Sequence, residues 1–155
     1  MFIYSVRASG IKLFAIILIA ALIVAVIAVS GDSVLASSGA EISFTGIKTD
    51  ADRRAFINSF GVSLKDGMVE EVTFVMPESF DRIMLGYNEM QKAQGLDLSG
   101  YAKKRITRYT YEMNGYEGYE GTVYVNLLVY RSRIIGCDVS SADPEGFVEP
   151  LIKQI

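Results

Sequence analysis

The chain has 155 residues, half of them hydrophobic, and a formal charge of −3 at pH 7. It contains no histidine and one cysteine, Cys137, which excludes Ser-His-Asp catalysis, histidine-ligated zinc and any intramolecular disulfide. The length accommodates one core plus an anchoring segment, and the acidic balance argues against a nucleic-acid partner, which needs a concentrated positive face.

From Leu13 to Val29 every residue is Leu, Phe, Ala, Ile or Val. As a helix this stretch rises roughly 25 Å, and Ile11, Lys12 and Ser30 extend it towards the ~30 Å of bilayer hydrocarbon. Residues 1–30 are therefore expected to form a short cytoplasmic tail and a transmembrane helix. The alternative is a cleaved signal peptide and a secreted domain, with Ala36, Ser38 and Ala40 as the small residues of a cleavage site. Arg7 and Lys12 precede the apolar block while Asp32 and Glu41 follow it, so the positive-inside rule keeps the N-terminus cytoplasmic and exports residues 31–155. Residues 31–41 are small and polar and read as a flexible stalk.

The exported domain is expected over residues 42–155. A short extended piece, Ile42 to Ile47, leads into Thr49-Asp50-Ala51-Asp52, which caps a first helix carrying Phe56, Ile57 and Phe60 and stopped by Gly61. Glu70 to Met76 alternates as a strand, with Val72, Phe74 and Met76 on one face, and Pro77 ends it. Between Glu78 and Gln94 the apolar set Phe80, Ile83, Met84, Tyr87 and Met90 recurs at helical spacing, closed by Gly95. Three strands follow: Lys104 to Met113, Thr122 to Tyr130, and Ile134 to Ser140 with Ile135, Cys137 and Val139 sharing a face. Asp143-Pro144 has the form of a helix start. The expected fold is α+β: a four-stranded antiparallel sheet with two helices packed on one face, preceded by the N-terminal transmembrane helix.

Few residues suggest chemistry. Lys103, Lys104, Arg105 and Arg108 form the densest basic cluster and would suit an anionic wall or lipid component, but strand alternation sends them to both faces, as a solvated strand would. Tyr116 and Tyr119 lie in a Gly-rich loop that could touch a sugar or peptide, or simply close a hairpin; its two acids are too few for calcium. Asp138, Asp143 and Glu145 have no spacing that fixes a catalytic carboxylate pair, and Ser63 with Lys65 is a chance pairing. Cys137 falls on an apolar face as a small buried hydrophobe. No catalytic, cofactor or metal residue is expected.

The run Phe80 to Gly95, with Leu96-Asp97-Leu98, Arg108-Tyr109-Thr110-Tyr111, Asn126-Leu127-Leu128-Val129-Tyr130 and Ile135-Gly136-Cys137-Asp138-Val139, resembles an uncharacterised domain-of-unknown-function family. Its members are short, single-pass membrane-anchored proteins of Gram-positive anaerobic bacteria. The resemblance implies an anchor and one compact domain, and it brings no activity or functional residue. The expected function is a non-enzymatic extracytoplasmic module that contacts an envelope protein or an anionic wall or lipid component. Its alternatives are a carboxylate-dependent envelope hydrolase or transferase, with Asp138 as a member, and a structural envelope or sporulation component.

Overall fold

The computed structural model describes residues 42–152. The expected transmembrane helix, the tail and the stalk lie outside the described residues. Among the described residues, no helix is long and apolar enough to cross a membrane.

The first helix, α1 (Asp50–Asn58), starts where the sequence says it should. Thr49 accepts from the Asp52 N–H while the Asp52 carboxylate accepts from the Thr49 and Lys48 N–H groups, a reciprocal capping box that occupies the free donors of the first turn. Beyond the helix, Gly61 takes a φ of 76°, which a side chain would resist. Strand β1 (Glu70–Val75) leads to α2 (Arg82–Ala93), capped by Asp81, and then a single 3-10 turn at Ser99–Tyr101. Strands β2 (Arg105–Glu112), β3 (Val123–Tyr130) and β4 (Arg133–Ser141) follow, and Val148–Glu149 forms a short β5. The strands pair in chain order, every neighbour antiparallel.

Three features correct the sequence expectation. The sheet has five strands, because the segment after Asp143-Pro144 does not form a helix. There the Gly146 N–H closes a turn onto the Asp143 carbonyl, Phe147 packs between Tyr116 and Tyr119, and Val148 and Glu149 pair with the edge of β4. Second, the helices cover opposite faces. Phe56 and Ile57 of α1 join Tyr111, Val123, Val125, Leu127 and Cys137 in one cluster, whereas Met84 and Tyr87 of α2 pack on Ile106, Leu128 and Ile135 in another. Leu127 and Leu128 are sequence neighbours in a strand, so their clusters lie on the two sides of the sheet. Third, a register shift at Leu128/Val129 bulges β4, pairing Val129 with Ile134 and Leu128 with Gly136. The bulge places Ile134, not Ile135, beside Cys137 and Val139, and turns Ile135 towards α2. The β3–β4 hairpin needs only Arg131 and Ser132, both at positive φ (47° and 61°), as the tightest turns require.

The outer edge of β4 is covered along its length by three devices. At one end Ile134 donates its N–H to the Phe44 carbonyl; in the middle the Gln91 and Gln94 side chains bond Cys137; at the other end β5 pairs with Val139 and Ser140. Each satisfies backbone groups that an open edge would present to another chain.

Candidate functional site

The α2 face of the sheet changes character along the strands. Phe74 of β1 and Ile106 of β2 pair beneath α2 and are apolar. One step along, Val72, Arg108, Leu128 and Gly136 align across four strands, and the next row is Glu70, Thr110, Asn126 and Asp138. Beyond it Glu112, Tyr124 and Ser140 align. Antiparallel register alone produces these rows, since directly opposed residues share a face.

The polar rows line a shallow groove of about 370 Å³ bounded by Val69, Glu70, Arg108, Thr110, Tyr124, Asn126 and Ser140. Hydrogen bonds run across its floor in one direction. Thr110 Oγ1 donates to Asn126 Oδ1 at 2.8 Å, and Asn126 Nδ2 donates to Asp138 Oδ1 at 2.8 Å and to Ser140 Oγ at 3.0 Å. From α2, Tyr87 donates its hydroxyl to Asp138 Oδ2 at 2.7 Å. Arg108 Nη2 donates to Glu70 Oε2 at 2.6 Å, while Arg108 Nε is buried and finds no acceptor among the described residues.

Asp138 is 4% exposed. Burial pushes its carboxyl above the ordinary carboxylate range, against the hydrogen bonds from Tyr87 and Asn126 and the Arg108 charge, all of which favour the ionised form. Burial, and the negative charge of Asp138, push Tyr87 well above the normal phenol value, so it remains a donor. With both oxygens engaged and no open face, Asp138 is poorly placed to attack a substrate or move a proton to one. It ties α2 to the sheet and fixes the orientation of Asn126.

The sequence-derived candidates are dispersed. Arg108 lies in the groove. Arg105 faces the other side of the sheet, as alternation predicts, and Lys103 sits at positive φ before β2, paired with Glu78. Lys104 is exposed just before β2, where its carbonyl accepts the Met76 N–H. Tyr116 and Tyr119 are not open loop contacts but half-buried: Tyr116 stacks on Phe147 at 5.1 Å and donates to Glu149 at 2.6 Å, and Tyr119 meets the same ring edge-on. Cys137 is fully buried and its thiol is pushed up to about 12, so it is inert as the sequence suggests. Among the described residues no group of His, Cys, Asp or Glu is arranged to hold a metal.

Sequence reasoning missed Glu70, Thr110, Tyr124, Asn126 and Ser140. The available signal was a polar residue recurring on the inward-facing parity of β2, β3 and β4, which becomes a site only once register aligns Thr110, Asn126 and Asp138.

No curated protein and no solved structure matches the chain. A family model does, over residues 56–139, a span that begins in α1 and takes in Glu70, Arg108, Thr110, Tyr124, Asn126 and Asp138. With more than half its length matched, including most of the groove, the chain belongs to the family described as a domain of unknown function, DUF4830.

Proposed function

We propose that this protein is a non-catalytic binding module, displayed outside the cytoplasm by its N-terminal apolar segment, and that the groove on the α2 face of the sheet is its binding site. The display reading is supported by the sequence, in the unbroken apolar run Leu13 to Val29 with Arg7 and Lys12 before it and Asp32 and Glu41 after it. The observation that carries the binding reading is the alignment of Glu70, Arg108, Thr110, Tyr124, Asn126 and Ser140 along one groove, where Arg108 Nε finds no acceptor among the described residues. The Arg108 side chain is itself partly exposed, so a rotation of its guanidinium brings its N–H groups to a ligand oxygen in the groove. The non-catalytic reading is supported by the sealed Asp138 carboxyl, the raised Cys137 thiol and the absence of histidine from the sequence.

The test is photo-crosslinking in intact cells of the source organism. The full-length chain carries a photo-reactive phenylalanine analogue at position 124, in the groove, or at position 83, where Ile83 is 81% exposed on the outer flank of α2. Irradiation is expected to give discrete adducts from position 124 and none from position 83, on protein that sediments with membranes and is cut by added protease. Equal labelling from both positions overturns the groove as the binding site, and recovery of intact protein from the cytosol overturns the display.

A further inference from the structure

We infer that the ligand of this groove is a neutral carbohydrate, held through the hydroxyl groups of a pyranose ring; this rests on the binding reading above. The argument begins with the direction of the hydrogen bonds. Thr110 spends its only hydroxyl proton on Asn126 Oδ1, so towards a ligand Thr110 Oγ1 can only accept. Asn126 Nδ2 spends its donors on Asp138 and Ser140, so Ser140, which accepts there, keeps its own proton free to donate outward. Glu70 presents carboxylate lone pairs, Arg108 presents N–H groups, and the Tyr124 hydroxyl can do either. Donors and acceptors therefore alternate within one patch.

A sugar hydroxyl is itself both donor and acceptor, and a pyranose offers several on adjacent carbons, so each group in the patch finds a complement. A phosphate or carboxylate group only accepts. It would satisfy Arg108 and Ser140 while facing the lone pairs of Glu70 and Thr110 unpaired. Charge points the same way: Glu70 sits 2.6 Å from Arg108 and cancels it, Asp138 lies beneath the floor, and the chain carries −3 overall, so an anion gains no net attraction. An extended peptide is no better served on the groove floor, where the main-chain groups of β2 and β3 are spent in the ladder, and a strand-adding peptide would sit at the outer edge of β1, beside the groove and not in it. Tyr124 on the groove wall offers a flat apolar ring for the C–H face of a sugar, with a hydroxyl at its tip.

Calorimetric titration of the full-length chain with maltotriose, cellotriose and triacetylchitotriose, and with the anionic sialyllactose, tests the inference. Saturable binding of at least one neutral trisaccharide, stronger than that of sialyllactose, is expected. Tyr124→Ala and Ser140→Ala should each weaken it about tenfold, the loss of one aromatic or one hydrogen-bonding contact, with far-UV circular dichroism unchanged. Preference for sialyllactose, or unaltered affinity in both folded variants, overturns the inference. If none of the sugars binds while position 124 still gives photo-adducts in cells, the carbohydrate assignment fails and the binding groove stands; if adducts are missing too, both fail.

Discussion

Gln91 treats Cys137 as a neighbouring β-strand would: its Nε2 donates to the Cys137 carbonyl at 3.0 Å while its Oε1 accepts the Cys137 N–H at 2.9 Å. Both residues are fully buried, so a helix side chain completes a sheet edge in the interior. The neighbouring Gln94 adds a second donor to the same carbonyl at 3.0 Å and accepts the Ile152 N–H at 2.9 Å, which fastens the C-terminal segment.

Gln91→Ala leaves the Cys137 N–H buried without an acceptor, while Gln94 still serves the carbonyl. The variant should lose about 2–4 kcal/mol of stability, the cost of one unsatisfied buried group plus a cavity. Urea denaturation followed by circular dichroism measures it. An unchanged midpoint would show that the edge is not held by this contact.

Asp138 gives the fold a pH dependence of unusual sign for a carboxylate. Its folded value is raised, chiefly by burial, so the folded state binds the proton more tightly than the unfolded chain. The resulting stabilisation is fully present below the ordinary value of 3.8 and is lost as pH rises through the raised value. Asp50, Asp52 and Asp97 have lowered values and act oppositely, which makes the difference between two proteins the useful quantity. Asp138→Asn keeps an acceptor for Asn126 and can donate to the Tyr87 oxygen. The stability of the natural chain relative to this variant should fall as pH rises from 3.8, measured as denaturation midpoints across a pH series; a flat difference would falsify the assignment.

Gly136 lies where α2 and the 3-10 segment close on the sheet. A Cβ there would meet Leu128 Cδ1 at 3.0 Å, Leu98 Cδ2 at 3.2 Å and Gln91 Oε1 at 3.4 Å. Gly136→Ala is expected to cost about 1–3 kcal/mol through overpacking, with part of the loss coming from displacement of Gln91. A thermal melt checks the magnitude, and a stabilised variant would mean that the interface has slack.

The Cys137 thiol should react with an aromatic disulfide reagent only through unfolding. Burial raises it to about 12 and leaves it no exposed surface, so the reactive thiolate is both scarce and shielded. Labelling is expected to follow the unfolding rate as urea is added. A rapid phase in the absence of denaturant would contradict the burial.

The elements themselves were largely legible in the sequence. The Thr49 capping box, the Gly61 stop, alternation in β1 to β4 and the helical period of α2 are local signals, set by backbone sterics and the repeat of side-chain directions. Which helix face is inward was less legible, because α2 buries the polar Asn88 and Gln91 while Ile83 points outward. Apolar content alone does not identify a buried face when the sheet edge beside it needs hydrogen bonds.

The sequence by itself determined the apolar N-terminal stretch, the exclusion of imidazole and disulfide chemistry, the positions of the helices and main strands, and the burial of Cys137. Only the tertiary structure decided that the helices take opposite faces, that a bulge turns Ile135 away from Cys137, and that Glu70, Thr110, Asn126 and Asp138 stand in one row. The reason is that alternation tells each strand which residues share a side, whereas register between strands far apart in the chain sets which of those sides meet and what covers them.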